Sequence, residues 1–505
     1  MLTLLLLTAG FTDDDAPPRP NVLFVAVDDL NDWAEPFGGH PQVQTPHLSR
    51  LAERSVVFQN AHAAAPVCGP SRSALLTGLS PATTGCYGNR DITRLAPPVA
   101  KYATLPEAMA QHGYHTATLG KIAHAFETPR GTDRGRWMYQ EIGHGGGSFA
   151  ADRSRLTSRN KSLVAGQPIN DRFARGGGSE FAWGPTRLAT DETKDWQTAD
   201  WAGDWLAARP ADAGPFFLAV GFSKPHLPFI VPQEFFDLYD ESFEPPEVPE
   251  DDLADIVTTT GSQRYTASDD FEWVEANDQR REAARAYAAA CSYADACVGH
   301  LLEGLAKSPH AANTIVIVWG DHGWHLGEKL RYRKATGWHV ATRVPLLIAM
   351  PNRDRRADCV APVNLLDLFP TLLDVCDLPP RPHLEGRSLR PLLENPVADE
   401  KAWPHASVTI VGPNHASVHG RRYHAIWEKS RRNGRDMEVR QLYDLANDPN
   451  EWVNEARETM PEPMRTKWQQ LTAALPAHYA ARAPQSVDES RAYDPAKPRP
   501  LEQLQ

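Results

Sequence analysis

The sequence has no apolar run long enough to cross a bilayer. Its longest candidate, within MLTLLLLTAG at residues 1–10, falls well short of the roughly 20 residues that a membrane helix needs. That stretch is similar to the apolar part of a secretory signal, although no basic residue precedes it. Residues 1–19 are therefore expected to be a leader, and the protein to be exported, periplasmic or extracellular. Positive charge is in short supply as well. There are 52 basic against 64 acidic side chains, a formal net charge of −12, which disfavours non-specific binding to nucleic acid or anionic membranes. The basic clusters RRNGR (431–435) and NRDRR (352–356) are short and interrupted, and read as solvated turns. An anionic substrate would need a locally positive pocket. Cysteine is scarce: there are six, and with Cys68 set aside an odd number remains, which excludes a fully paired disulfide framework. Internal repeats and low-complexity tracts are missing, which excludes a solenoid.

What is present is a large core and many loops. The chain has 505 residues, 41% of them hydrophobic, enough to bury an extensive interior. Its 34 glycines and 43 prolines point to long connections rather than a helical bundle. Strands are expected at NVLFVAV (21–27), PFFLAVGF (215–222), TIVIVWG (314–320) and VPLLIAM (344–350). Helices are expected near 45–55, 71–78 and 280–305, and TLPEAMAQHGYHTATLGK (104–121) reads as helix, glycine turn, strand. Strands that are apolar throughout and separated by helices predict a mostly parallel, doubly wound α/β sheet covered on both faces. This domain is expected over residues 20–375. Residues 127–195, rich in Gly, Arg and Ser, read as a long loop insertion at a substrate rim. Beyond NLLDLFPTLLDVCDLP (364–379) prolines cluster and short alternating segments follow. A smaller α+β subdomain is expected over 376–482 with a final helix near 462–475. The Pro-rich tail 483–505 is expected to be loosely ordered.

In open α/β sheets, ligands bind at the carboxyl ends of the strands. The strand at 21–27 runs into Asp28 and Asp29, and that at 314–320 into Asp321 and His322. The strand near 114–119 runs into Gly120-Lys121 with His124 beyond, and the strand at 215–222 into Ser-Lys224-Pro-His226. The turn Cys68-Gly-Pro-Ser-Arg72 opens a helix on the same edge. Each piece alone has an ordinary reading: paired aspartates as a turn or helix cap, Asp-His-Gly as a turn, Lys-Pro-His as surface, a lone cysteine as packing. Five such segments arriving at one edge are harder to explain by accident. Asp28, Asp29 and Asp321 could share a site only with a neutralising cation. Oxygen ligands favour Ca²⁺, with Mg²⁺ or Mn²⁺ open, while His322 adds a softer donor. Beside that cation and Arg72, and at a helix N-terminus, the Cys68 thiolate is expected to be stabilised. Lys121, His124, His226 and Lys334 would supply the positive charge that a tetrahedral anion demands. Together these residues point to metal-assisted cleavage of a sulfate or phosphate ester.

Cys68-Gly-Pro-Ser-Arg72 followed by Leu76-Thr-Gly78 resembles the signature of the type I sulfatases. Asp28-Asp29, Gly120-Lys121, Lys224-Pro-His226 and Asp321-His322-Gly323 fall in the order that family shows. Through VDDLND, GKIAH, SKPHLPF, DHGWHLGE and YDLANDPNEWVN the chain is most similar to the iduronate-2-sulfatase-like branch, over about residues 20 to 475. The resemblance implies an alkaline-phosphatase-like fold, and conversion of Cys68 to formylglycine by a formylglycine-generating enzyme that reads C-G-P-S-R. It implies that the hydrated aldehyde attacks sulfur through one hydroxyl and expels sulfate through the other, avoiding a stable serine-type sulfate ester. In this scheme Asp28, Asp29, Asp321, His322 and residue 68 hold the metal, and Arg72 stabilises the hydrate. Lys121, His124 and Lys334 grip the sulfate, and His226 protonates the leaving alcohol.

The chain departs from its relatives at WHVATRVP, where His339 stands in place of a glutamate, and at GWHLGE, where His325 adds a histidine. Iduronate specificity, disulfides and glycosylation are therefore not carried over. The expected partner is a sulfated sugar or polysaccharide fragment. The 14 tryptophans are compatible with sugar binding and equally with a core role. Two alternatives remain: a phosphodiester or phosphonate monoester hydrolase of the same superfamily, and an inactive carbohydrate-binding relative. The second predicts loss of a ligand or of the cysteine, and all are present.

Overall fold

A computed structural model describes residues 18–143, 181–456, 460–485 and 499–505, apart from residues 125, 129–130, 134–135, 187, 259–260 and 433–434. The leader, save its last two residues, and the centre of the glycine-rich insertion lie outside the described residues. Eight strands form the central sheet: β1 (Asn21–Asp28), β2 (Val56–Phe58), β3 (His115–Gly120), β4 (Glu141–Ile142), β5 (Phe216–Pro225), β6 (Thr314–Gly320), β7 (Leu346–Ala349) and β8 (Ala357–Cys359). Their order is β8-β2-β7-β6-β1-β5-β3-β4.

β1 lies at the centre, pairing in parallel with β6 from Asn21↔Thr314 to Val27↔Gly320, and with β5 on its other side. Every residue of β1 is buried, because both faces are covered. Leu23, Val25 and Val27 pack beneath helices α2 (Lys194–Ala208) and α3 (Arg280–Lys307). Val22, Phe24 and Ala26 face the opposite core, which includes Leu75 and Leu76 of α1 (Cys68–Thr77). Burying each such Val, Leu or Phe side chain contributes about 1.5–3 kcal/mol. Helices α2 and α3 approach closely because glycines meet there: a Cβ on Gly304 would lie 2.7 Å from the Gly203 Cα.

One strand corrects the parallel expectation. β7, within the apolar run 344–350, is antiparallel to both β6 and β2. An apolar run carries no direction. The connection leaves β6 at Gly320 and returns at Pro345, whose carbonyl accepts a hydrogen bond from Gly320 N at 3.0 Å. The chain thus re-enters at the edge it left, and β7 has to run backwards.

The C-terminal region forms its own antiparallel sheet, β9 (Ser407–Gly412), β10 (His415–His419), β11 (Tyr423–Arg432) and β12 (Arg435–Asp444), in sequential order. Helix α4 (Glu462–Thr472) covers it with Trp468 and Leu471 over Val418, Ala425 and Leu442. β9 ties this sheet to the α/β body: Ile410 N donates to Ala64 O (2.9 Å) and Thr409 Oγ1 to Ala63 O (2.6 Å). Of the tail expected over 483–505, residues 486–498 lie outside the described residues. Residues 499–505 dock on the α/β body because Arg499 Nε pairs with Glu107 Oε1 at 2.8 Å, and Ala103 N donates to Gln505 O at 3.0 Å. All six cysteines are buried and free. Among the described residues no helix is long and apolar enough to cross a membrane.

Candidate active site

The carboxyl edge of the sheet gathers the expected segments. At the end of β1 the register with β5 slips between Val27 and Asp28, and Asp29 takes a left-handed conformation (φ 61°). This bulge and the turn that follows bring both carboxylates into the site, as bulges near active sites commonly do. β3 ends in Gly120 at φ 82°, where any Cβ would fall 1.9 Å from Gly221 O. Only glycine allows Lys121 N to bond Gly221 O at 2.9 Å, which sets the lysine at the edge. Cys68 is the first residue of α1. Asp321 and His322 follow directly on β6.

One donor atom from each of Asp28, Asp29, Cys68, Asp321 and His322 lies within 4.8 Å of all the others, and all five residues are buried. Arg72, fully buried, is the keystone: Nε donates to Asp321 Oδ2 (2.7 Å), Nη2 to Asp28 Oδ1 (3.2 Å) and Nη1 to the Ile122 carbonyl (3.0 Å). Lys121 pairs with Asp28, and Lys334 Nζ lies 2.5 Å from Asp29 Oδ1 and 2.9 Å from Cys68 Sγ. The imidazole of His322 bonds Gly323 O through Nδ1 (3.0 Å), so Nε2 presents its lone pair to the cluster, 3.2 Å from Cys68 Sγ. His226 likewise bonds Leu227 O through Nδ1 (2.7 Å) and turns Nε2 toward Asp29 Oδ2 at 3.9 Å.

The electrostatics sharpen two expectations. Three side-chain cations, Arg72, Lys121 and Lys334, already face the three carboxylates, so negative charge by itself does not require a metal. The donor set does fit one: Asp29 Oδ2 is buried without a hydrogen-bond partner, and the His322 lone pair points into the same space. Burial would raise the Asp28 carboxyl, but Lys121 and Arg72 hold it well below the usual carboxylate range. Asp29 is pushed up to about 7 by burial and by Asp28 and Asp321, against the pull of Lys334. Burial takes the His322 imidazole down to about 4, leaving it neutral and able to ligate.

The Cys68 thiol, in the absence of a cation, is protonated. Burial pushes it up to about 12, and the attraction of Lys121 and Lys334 does not compensate. Arg72 directs its donors to Asp28, Asp321 and the Ile122 carbonyl. His124 makes no hydrogen bond or ion pair with the cluster. It lines a shallow neighbouring cleft with Gly69, Asn89, Arg94, Trp137 and Met138, and burial and Lys121 take it down to about 3. Lys224 turns inward, donating to Pro228 O (2.7 Å) and His226 O (3.2 Å), so it braces the His226 turn.

Several supporting residues escaped the sequence reading. Tyr287 Oη donates to Asp29 O (2.7 Å) and accepts from Asn31 N (2.9 Å), fixing the turn after β1. It sits in the middle of α3, where no local pattern marks it. Ser71 Oγ donates to Asp321 O (2.6 Å) and lies within the motif already noted. Lys334 Nζ stands 5.3 Å over the Trp324 ring, an indole that reads as core.

Comparison with known proteins agrees with this geometry. The sequence matches the family described as Sulfatase over residues 20–378, and that described as N-sulphoglucosamine sulphohydrolase, C-terminal, over residues 320–476. It is 34% identical over 467 residues to a sulfatase of Formosa agariphila, covering 91% of this chain and 86% of that protein. It is 30% identical over 401 residues to the iduronate 2-sulfatase of Homo sapiens, covering 72% and 70%. Among solved structures it resembles the phosphonate monoester hydrolase of Agrobacterium radiobacter, with TM-score 0.67, 21% identity, and 90% and 94% of the two chains covered. It also resembles BT4656, solved with its substrate D-glucosamine-2-N,6-O-disulfate, with TM-score 0.64, 19% identity, and 90% and 97% covered. The last two likenesses speak for the fold alone. Family match, identity along most of the chain and an alkaline-phosphatase-like fold agree, and the chain belongs to the type I sulfatases, enzymes that hydrolyse sulfuric esters, in their iduronate-2-sulfatase-like branch.

Proposed function

We propose that this enzyme removes sulfate from a sulfated sugar or polysaccharide fragment, using a formylglycine made from Cys68 and a divalent cation, Ca²⁺ in preference to Mg²⁺ or Mn²⁺. The observation that carries the reading is the buried cluster of Asp28, Asp29, Cys68, Asp321 and His322 around one point. The cation, held by those residues, would supply Lewis acidity to the sulfate and to the hydroxyl of residue 68. Conversion of Cys68 is supported by its place at the start of α1 in the Cys68-Gly-Pro-Ser-Arg72 turn, with its side chain inside the cluster of donors. As the hydrated aldehyde, residue 68 would offer one hydroxyl to sulfur while the S–O bond to the sugar breaks and the alcohol leaves, and loss of the proton from the second hydroxyl would re-form the carbonyl as the C–O bond breaks and sulfate departs.

The remaining side chains have separable tasks. Arg72 fixes Asp28 and Asp321 relative to α1. Lys121 and Lys334 attract the sulfate oxygens, and His124, on the cleft wall beyond them, faces the same substrate from farther out. His226 delivers the proton to the leaving alcohol from Nε2. Its resting imidazole is held well below its ordinary value by burial, Lys121 and Lys334, so it takes up that proton when a bound sulfate offsets the two lysines. Carbohydrate as the leaving group is supported by the adjoining cleft, where Arg94 lies over Trp137 at 5.2 Å and Asn89 adds a polar side chain. An exported location and maturation by a formylglycine-generating enzyme belong to the same reading, as do a catalytic domain over 20–375 and a C-terminal subdomain over 376–482.

The test is the mass of the peptide containing Cys68, from protein made together with a formylglycine-generating enzyme. Conversion lowers it by about 18 Da, and activity on sulfated oligosaccharides should follow the converted fraction. An unconverted thiol in active protein would overturn the proposed nucleophile. Faster turnover of aryl phosphonates than of aryl sulfates would overturn the substrate class.

A further inference from the structure

A second group of potential ligands lies where the C-terminal sheet meets the α/β body. His62 follows β2, His339 opens the short helix His339–Thr342, and His419 ends β10. One ring nitrogen from each lies within 4.8 Å of the other two. His62 and His419 are fully buried, and their rings stack at 3.7 Å. The centroid of His339 is 5.7 Å from that of His62 and 5.5 Å from that of His419.

Four ring nitrogens here are buried without a hydrogen-bond partner: both of His62, and Nδ1 of His339 and of His419. The Val363 backbone lies near His62 but makes no bond of ordinary geometry with either nitrogen. Buried polar atoms are almost always paired, so four orphans on three converging rings ask for a missing partner. The surroundings hold the rings in place in the manner of outer-shell groups. His419 Nε2 meets Thr342 Oγ1 (3.0 Å) and Ser417 Oγ (3.1 Å), which leaves Nδ1 as its free donor. His424 stacks on His419 at 3.8 Å and is bonded to Glu451, whose other oxygen accepts from His339 N at 2.8 Å. The nearest guanidinium, Arg343, is engaged by Asp32 at 2.6 Å. Burial keeps the imidazoles of His62, His339 and His419 neutral, the form that ligates.

We propose that His62, His339 and His419 bind a divalent d-block cation, with Zn²⁺ the ion to test, as a second metal centre separate from the carboxylate cluster. Three imidazoles with no oxygen ligand are a poor site for Ca²⁺ or Mg²⁺ and a good one for zinc, nickel or copper. With Zn–N distances of about 2.0–2.1 Å, the donors must close from their present spread, and the stacked rings of His62 and His419 must turn apart. A cation held this way joins the α/β body, through His62 and His339, to the C-terminal sheet, through His419. It also anchors the segment that carries Lys334, five residues before His339.

The proposal does not depend on the sulfatase chemistry, and its test is independent of activity. Full-length enzyme, stripped of metal and then saturated with Ca²⁺ to occupy the carboxylate cluster, is titrated with Zn²⁺ and its bound zinc measured after dialysis. One zinc per chain is expected, with a raised unfolding temperature. X-ray absorption of that zinc should give a first shell dominated by imidazole. His62→Leu and His419→Leu should each bring the stoichiometry to zero, while Asp28→Asn should leave it at one. No retained zinc in the wild-type protein, or a carboxylate-rich shell around it, would overturn the proposal. The absorption spectrum decides the question even if a variant fails to fold.

Discussion

The molecule holds two buried polar clusters that solve the same problem in opposite ways. The first places Asp28, Asp29 and Asp321 in the interior and answers them with Arg72, Lys121 and Lys334, through ion pairs whose partners are nearly or fully buried. The second, His62, His339 and His419, with His424 beside them, brings titratable groups inside in their neutral form and leaves four nitrogens without partners. Charges that are taken out of water and paired are strongly interdependent, because removing one leaves another uncompensated. Neutral rings stacked on one another cost little in this way, yet gain little until something binds them. The contrast is one of degree: side-chain cations already pair most of the first cluster and leave one carboxylate oxygen, Asp29 Oδ2, for a metal, whereas no charged partner meets the four free nitrogens of the second.

The largest expected effect separates chemistry from architecture within the first cluster. Cys68→Ala should abolish turnover, by about 10⁵-fold or more, because the only reacting group is gone. The fold should hardly notice, since the side chain carries no ion pair. Steady-state kinetics and urea unfolding on the same preparation check both halves. His226→Gln tests the proposed proton donor. On an alkyl sulfate its kcat should fall about 10²–10⁴-fold, whereas an aryl sulfate with a good leaving group should lose far less. An equal loss on both substrates would make His226 a positioning residue instead.

The keystone is the next most sensitive point. Arg72→Met keeps volume and removes the charge that Asp28 and Asp321 share. It should cost about 3–5 kcal/mol of stability, the loss typical of breaking a buried ion pair from one side. Loss of activity should accompany it, because the carboxylates are then free to move. Denaturant unfolding reads the first and kinetics the second. A stable Arg72→Met protein would mean that Lys121 and Lys334 alone compensate the three acids, and the contrast between the clusters would narrow.

How much of this could be read in the sequence depends on whether the signal is local. β1 and β6 are apolar runs that end in Asp28-Asp29 and Asp321-His322, and the general geometry of parallel sheets brings those ends together. The five donors that converge are the ones named from the sequence. The direction of β7 was not legible, because LLIA is equally apolar read either way and its orientation follows from where Pro345 re-enters beside Gly320. That Lys224 turns its ammonium back onto the carbonyls of His226 and Pro228 could not be read from Lys-Pro-His. Tyr287 draws its role from Asp29 and Asn31, 258 and 256 residues away in sequence, and Arg72 from Asp28 and Asp321, 44 and 249 residues away. The histidine cluster was the least legible: its members at 62, 339, 419 and 424 share no motif, and only His339 stood out, as a departure from the family pattern.

The smallest effect bears most directly on the comparison. In metal-free protein, His62→Leu exchanges a buried ring with two unpartnered nitrogens for an apolar side chain of similar reach. Removing a buried polar group that makes no hydrogen bond is nearly neutral or stabilising, so unfolding free energy should shift by no more than about 1 kcal/mol, in either direction. With zinc present the same substitution should abolish the rise in unfolding temperature expected of the wild type, because a ligand stabilises only the state that binds it. A loss of several kcal/mol without metal would show that the stacked histidines already stabilise the joint between sheet and body. The second cluster would then resemble the first in being held together by its own side chains.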